Sequence, residues 1–312
     1  NEVEDQIAEV LDRSSEVLKR MQNPEGFWNA GTDLEANINL TAGLASALGE
    51  INAKDEKVVA ALKWLSNQKA PDRTSFGVDT AANRLGCLAR FGGPQQFSAT
   101  IQVDAVFLTE AQLDDGGWGP RSPKASAQSD SVIISDHDRS LGVLQALMEA
   151  RFAGAEVDNR AFRNAMKYWT DAQVVDGGFT NRLTRYGTVS QPNVPYTATG
   201  TAGLITALDM ASGFGAKRCS LYLGSKEQLK AIDAGLRWLD EGYKEEYRSF
   251  GSFVANTDPY VEPERLLALG QASGVSHFND NDHFVESASA LLTHFDPATL
   301  MFGVRGQGGG GL

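Results

Sequence analysis

Residues 107–118 read Phe-Leu-Thr-Glu-Ala-Gln-Leu-Asp-Asp-Gly-Gly-Trp. An apolar pair closes a helical pattern, a glutamine follows, and two acids lead into a Gly-Gly turn that ends on a large ring. The order returns at 165–179, where Tyr168-Trp169, Gln173 and Gly177-Gly178-Phe179 stand in the same places. It returns again at 17–28 with Val17-Leu18, Gln22 and Gly26-Phe27-Trp28. Self-similarity at a period of tens of residues is the signature of a repeat architecture.

Outward from these copies, six turns are found. Besides the three above they are Ser75-Phe76-Gly77, Ser249-Phe250-Gly251 and Met301-Phe302-Gly303. Successive turn aromatics lie 48, 42, 61, 71 and 52 residues apart, a period that suits a helical hairpin with a variable loop. Before the turns run amphipathic patterns: Ile7, Val10, Leu11, Val17 and Leu18 in the first unit, Val58, Ala61, Leu62 and Leu65 in the second. The fourth has Ala165, Met166 and Trp169. The fifth has Ile232, Leu236 and Leu239, with Ser225 and Gln228 as a capping box. After five of the turns come segments rich in Ala, Gly, Ser and Thr: 40–48, 80–89, 141–150, 199–210 and 266–272. Segments apolar nearly all round belong in an interior. The pattern therefore predicts an all-α fold, an α/α toroid of about six hairpins with a polar outer ring and a small-residue inner ring. A sixth outer helix is expected at about 284–294, with no inner helix to follow it. The only β-branched run, Val132-Ile133-Ile134, is short.

With 312 residues, 42% of them hydrophobic, the chain can bury a large core. One domain is expected over 1–304, followed by a Gly-rich tail or linker at 305–312. A net charge of −12 argues against nucleic acid or an anionic membrane as partner. No apolar run is long enough for a transmembrane helix. Cys87 and Cys219 are expected to be free and buried. A start at Asn1 is read as the loss of an upstream segment, and a secreted or periplasmic setting is expected over a cytoplasmic one.

The turns resemble the QW repeat of the squalene cyclase and protein prenyltransferase superfamily: an aromatic and an aliphatic residue, Gln, then Gly-x-Trp. Phe107-Leu108, Gln112, Gly116 and Trp118 fit it throughout. The fourth unit has Phe for Trp, the first lacks the leading aromatic, and the remaining three are worn. The last two units, through the stretches 265–274 and 283–288, are similar to bacterial proteins of unassigned function that carry these repeats. The resemblance implies the toroid; it does not by itself imply a chemistry.

Two chemistries of that superfamily can be sought in the residues. The cyclase acid motif, Asp-x-Asp-Asp, has its nearest match in Asp136-His137-Asp138-Arg139, which puts Asp138 in the proton donor's place and Asp136 beside it as the candidate catalytic pair. Arg139 stands where the third acid belongs, and a guanidinium next to Asp138 is expected to lower its pKa, against the needs of a donor to carbon. In the prenyltransferases a zinc-binding His opens an inner helix; the corresponding run here is Tyr196-Thr197-Ala198-Thr199. No metal site and no cofactor is expected. The acidic run Asn279-Asp280-Asn281-Asp282-His283 is read as helix capping.

If the hairpins are parallel copies, the starts of the inner helices converge. This gathers Asp33, Glu35, Asp79, Arg84, the 136–139 run, Tyr186, Tyr196, Asp258, Tyr260, Glu262, Glu264 and Arg265 around one mouth. Of these, His137, Arg139, Tyr196, Tyr260, Glu262 and Arg265 are the candidate ligand-binding residues. The expected function is a non-catalytic binding or scaffold domain of a larger protein. Its partner would be a polar or cationic small molecule, a carbohydrate or another protein. The alternatives are a carbohydrate hydrolase or lyase with two paired carboxylates and, behind it, a squalene-type cyclase.

Overall fold

The computed structural model describes residues 2–71, 77–93, 95–123, 134–180, 192, 194–212, 226–246, 268–275 and parts of 277–302. Helices α1 (Glu2–Met21), α3 (Glu56–Ser66), α5 (Ser98–Glu110), α7 (Asn159–Ala172) and α9 (Lys226–Glu246) alternate along the chain with α2 (Leu34–Asn52), α4 (Val78–Phe91), α6 (His137–Phe152) and α8 (Val194–Ala211). The even-numbered helices pack side by side in the order α2, α4, α6, α8, and α3, α5, α7 and α9 back them from outside. This is the all-α toroid, with the small-residue segments as its inner ring.

The two rings differ as their sequences demand. Outer α7 buries Phe162, Ala165, Tyr168, Trp169 and Ala172 and exposes Arg163 and Lys167. Inner α8 is buried along almost its whole length, so its Ala, Thr and Gly residues let it sit closely against α7 and α9. At Gly200 and Gly203 a β-carbon would lie 2.3 Å from the Phe179 ring and 2.2 Å from that of Trp169, so packing requires glycine there.

The turns explain why the repeat has its composition. Gly26, Gly116 and Gly177 adopt φ of 97°, 90° and 98°, the left-handed region that side chains disfavour. Each also lies against the next outer helix: a β-carbon would meet the carbonyl of Ala60, Asn164 or Ala234 at 2.8, 2.2 or 2.5 Å. Each turn glutamine then donates twice through Nε2. Gln22 reaches the carbonyls of Gly26 and Lys57, Gln112 those of Gly116 and Ala161, Gln173 those of Gly177 and Ala231, all at 2.8–3.0 Å. One amide thus closes its own turn by satisfying the turn glycine's carbonyl and adds a second bond to a carbonyl near the start of the following outer helix. The amide of Trp28, Trp118 or Phe179 donates to a hydroxyl on the inner helix, that of Thr41, Ser140 or Thr197. The indoles of Trp28 and Trp118 donate to the carbonyls of Leu18 and Leu108, ten residues back.

The second unit departs from this scheme. Gln68 folds back onto the carbonyl of Trp64. Here Arg84 of α4 binds the carbonyl of Lys69 and makes a two-pronged pair with Asp104 of α5, with both side chains fully buried. Burial pushes the Asp104 carboxyl up, Arg84 draws it down, and burial prevails. Arg84, gathered with the mouth residues from the sequence, is a packing residue between rings.

The last repeat is described only in part. Near the C-terminus the described residues include two short antiparallel pairs, β1 (His277–Phe278) with β2 (Asn281–Asp282) and β3 (Phe295–Asp296) with β4 (Met301–Phe302). Within the run expected to cap a helix, Asn281 and Asp282 form β2, and the Asp282 carboxylate accepts from the Val285 amide at 3.1 Å, as a helix cap does. The expected sixth outer helix lies mostly outside the described residues, as do Asn279, Asp280, His283, Ser225 and the whole 249–251 turn. Cys87 is buried and free, as expected; burial pushes its thiol up to about 12.

Candidate functional site

The four residues 136–139 open α6, and helical geometry sends each to a different surrounding. Asp136 is extended (φ −124°, ψ 140°) and its carboxylate accepts from the Arg139 amide at 2.9 Å, a helix N-cap. His137 turns inward and is 3% exposed. Its ring meets the edges or faces of Trp169 (5.0 Å between centroids), Tyr168 (5.7 Å), Phe179 (6.2 Å) and Tyr196 (6.3 Å). Asp138 is exposed and accepts from the Thr199 hydroxyl of α8 at 3.2 Å. Arg139 reaches sideways to α4, where its Nε and Nη2 donate to the two oxygens of Asp79 at 2.7 and 2.8 Å.

This arrangement gives two of the sequence-marked residues their surroundings. Arg139 spends its guanidinium on Asp79 and makes no hydrogen bond to Asp138. Burial pulls the Arg139 pKa down, but the bonds and charge of Asp79, with Asp136 and Asp138 nearby, raise it overall. His137, expected to bind ligand, lies in an aromatic nest behind the inner wall, and the half-buried Tyr196 shares that nest. Tyr186, Asp258, Tyr260, Glu262, Glu264 and Arg265 lie outside the described residues.

The belt continues along the starts of α2 and α4. Glu35 accepts from the Gly77 amide at 2.9 Å and the Thr80 hydroxyl at 3.2 Å. Asn39 donates to Thr80, and Asn83 to Asn39, both at 3.0 Å. Adjacent inner helices are thus joined by side-chain bonds at one end: α2 to α4 through Glu35 and Asn39, α4 to α6 through Asp79 and Arg139, α6 to α8 through Asp138 and Thr199. These contacts bring the helix starts together, as the parallel-hairpin reading expects. Asn39 and Asn83 were not foreseen, although each stands one helical turn after a mouth acid, Glu35 or Asp79. Thr199 was foreseen only as the start of a small-residue inner segment.

Below the belt the inner wall is smooth. The faces turned away from the outer ring carry Leu40, Gly43 and Ala47 on α2, Asn83, Gly86 and Arg90 on α4, and Asp138, Gly142 and Gln145 on α6, all exposed or half exposed. A β-carbon on Gly43 or Gly142 would meet nothing within 4 Å, and on Gly86 only Ala146 at an ordinary 3.8 Å. Packing does not call for these three glycines. At the opposite ends Arg90 pairs with Glu50 at 2.7 Å.

A strap from the third unit crosses the mouth side. After Trp118, whose carbonyl accepts from the Asp136 amide, the chain runs back over α4 and α2. The Pro120 carbonyl accepts from the Val78 amide at 3.1 Å, and Arg121 pairs with Glu35 at 3.5 Å. Ser122 is 4% exposed. Among the described residues no three His, Cys, Asp or Glu side chains are placed to hold a metal ion. No described helix is long and apolar enough to cross a membrane.

Compared with solved structures, this fold is similar to that of the type II terpene cyclase MstE from Scytonema in its apo form. The TM-score is 0.58 and the sequence identity 16%, over 94% of this chain and 81% of that one. The likeness is one of fold. No family model matches the sequence, and no curated protein matches it.

Proposed function

We propose that this terpene-cyclase-like toroid is a binding domain whose lumen takes a small molecule with a cationic or strongly polar head. The observation that carries the reading is the open inner wall beneath a charged belt. Gly43, Gly86 and Gly142 each weaken a helix by about 1 kcal/mol relative to Ala, and no neighbour requires their small size. A ligand lying against the wall would. Around the mouth, the carboxylates of Asp33, Glu35, Asp79, Asp136 and Asp138 outnumber the guanidiniums of Arg121 and Arg139. The local field therefore favours a cation. The wall supplies apolar surface through Leu40, Ala47 and the helix backbones, so an amphiphile fits best.

The cyclase alternative keeps one point in its favour: Asp138 opens an inner helix on a fold shared with a type II terpene cyclase. A carbon-protonating acid needs a dry site that raises its pKa. Asp138 is exposed and accepts from the Thr199 hydroxyl, so it does not sit in a dry site. The carbohydrate-active alternative needs a free acid facing a base. Among the described mouth residues, Asp79 is held by Arg139, Asp136 by the α6 amide, and Glu35 by Gly77 and Thr80.

Two experiments test the reading. Calorimetric titration with octyltrimethylammonium is expected to show one site, and titration with octyl sulfate none; equal binding of both, or of neither, overturns it. Incubation with a linear polyprene is expected to return it unchanged. A cyclised product made by the wild type and lost in Asp138→Asn would replace this reading with the cyclase one.

A further inference from the structure

We propose that the open side of the first hairpin, α1 with α2, is where a second copy of this chain docks. Repeats of this kind bury their sides against their neighbours. α4 packs between α2 and α6, and α6 between α4 and α8, whereas among the described inner helices only α4 packs closely on α2. α1 is held at its C-terminal end. There Lys19 pairs with Asp55 of α3, Gln22 reaches the Lys57 carbonyl, and the Trp28 indole reaches the Leu18 carbonyl. Lys19 and Gln22 lie toward α3, so the opposite side of the hairpin is an end of the repeat array.

An array end that meets water needs a polar face, and this one is apolar. α1 and α3 carry similar amphipathic patterns, but α3 buries Val58, Ala61, Leu62 and Leu65 to 3% exposure or less. On α1, Ile7, Val10 and Val17 are only half-buried, and Leu11 and Met21 are 49% and 65% exposed. On α2, Leu44 is half-buried and Ile51 is 52% exposed. Of the nine large apolar side chains left exposed among the described residues, five (Leu11, Met21, Leu34, Leu40 and Ile51) lie on this hairpin, so they form a patch rather than a scatter. Ile7, Val10, Ser14, Val17 and Met21 follow one another at steps of three and four, as do Leu40, Leu44, Ala47 and Ile51. Neither stripe contains a charge, which is the seam pattern by which helices pack on helices.

Charge and size select the occupant. The chain carries −12, so two copies repel over most of their surface, and these uncharged stripes are where that repulsion is least. Glu9 and Arg13, beside the α1 stripe, pair with each other at 2.6 Å. From Ile7 to Met21 the face runs about 21 Å, and it is two helices, or about 20 Å, wide. Two hairpins meeting face to face make a four-helix bundle, and a contact of that size is on the order of the 800 Å² per partner that a stable dimer buries.

Sedimentation velocity on the chain at about 50 μM is expected to show a dimer. Met21→Lys with Ile51→Lys is expected to weaken it at least about 100-fold, because four unpaired cations then sit in the contact. Two added lysines take the net charge from −12 to −10 and so reduce the general repulsion, which therefore cannot cause the loss. Val103→Lys with Val106→Lys makes the same change of charge at similarly exposed positions on α5, 45% and 42%, and is expected to leave the dimer intact. Neither Met21 nor Ile51 lines the inner wall, so the outcome is independent of what the lumen holds. A monomeric wild type overturns the proposal. So does a dimer that survives Met21→Lys with Ile51→Lys in a protein that melts like the wild type, or one lost equally in the α5 variant. If the double variant melts early, Met21→Lys alone, at the most exposed position of the face, decides the same question.

Discussion

Arg139 of α6 grips both carboxylate oxygens of Asp79 on α4, and through them the starts of two neighbouring inner helices are fixed to each other. The pair is only partly exposed, 23% at Arg139 and 45% at Asp79. Arg139→Met is expected to cost about 1 kcal/mol in urea unfolding, the upper end for a pair open to water on one side. Arg139→Lys should recover little of it, because an ammonium cannot match the two-pronged geometry. Full recovery by Lys would mean that charge alone matters here.

The turn glutamines should divide into two classes. Gln112 donates to two carbonyls on different segments and accepts from Asn164, so Gln112→Ala is expected to cost about 2–3 kcal/mol through the three lost bonds and an unpaired Gly116 carbonyl. Gln68 reaches only the carbonyl of Trp64 in its own helix. Gln68→Ala should cost less than about 1 kcal/mol. Comparable losses in the two variants would show that the inter-helix bond is not what the glutamine contributes.

Glycines of identical chemistry should respond with opposite signs. Gly116→Ala forces a β-carbon to 2.2 Å from the Asn164 carbonyl at a φ of 90°, and is expected to cost more than about 3 kcal/mol. Gly142→Ala, in mid-helix with nothing near, should stabilise by about 0.5–1 kcal/mol. Thermal melts of the two variants decide this. Destabilisation by Gly142→Ala would mean that the inner wall is crowded.

Acid should loosen the first outer helix. Asp55 caps α3, accepting from the Lys57 amide, and pairs with Lys19 of α1 at 3.0 Å. Burial raises its pKa, but the Lys57 amide and Lys19 outweigh that and hold it below the usual value. A depressed carboxylate stabilises the fold above its ordinary pKa, and that stability is lost as pH falls through the folded-state value. Asp55→Asn keeps a capping oxygen and removes the charge. It should cost about 0.5–1 kcal/mol at pH 7, with the difference closing below about pH 4. A pH-independent difference would contradict the assignment.

The sequence made the rings legible because their cause is local. A glycine that must adopt positive φ, a glutamine that must span two carbonyls and helices with one or no polar face all leave a pattern within a dozen residues. The mouth was half legible for the same reason: Asp136 as a cap follows from its place before a helix. What Arg139 would face was not legible. Asp138 is its chain neighbour, but the i,i+1 geometry of a helix points the two apart, and Asp79 is 60 residues away. His137 misled in a similar way. Polar composition suggested the mouth, whereas one step along the helix turned it into the nest of Trp169 and Tyr168. Nothing local marks Gly43 or Gly142 as different from the packing glycines Gly200 and Gly203; only the emptiness around them does.

The most direct test of the open, ligand-binding lumen is to fill it. Gly142→Leu projects a side chain from α6 into the space that the wild type leaves empty, and the titration with octyltrimethylammonium is repeated. The expected result is at least about tenfold weaker binding, or about 1.4 kcal/mol, with a melting temperature no lower than that of the wild type. Undiminished affinity in the folded variant would place the ligand elsewhere and contradict the proposed function.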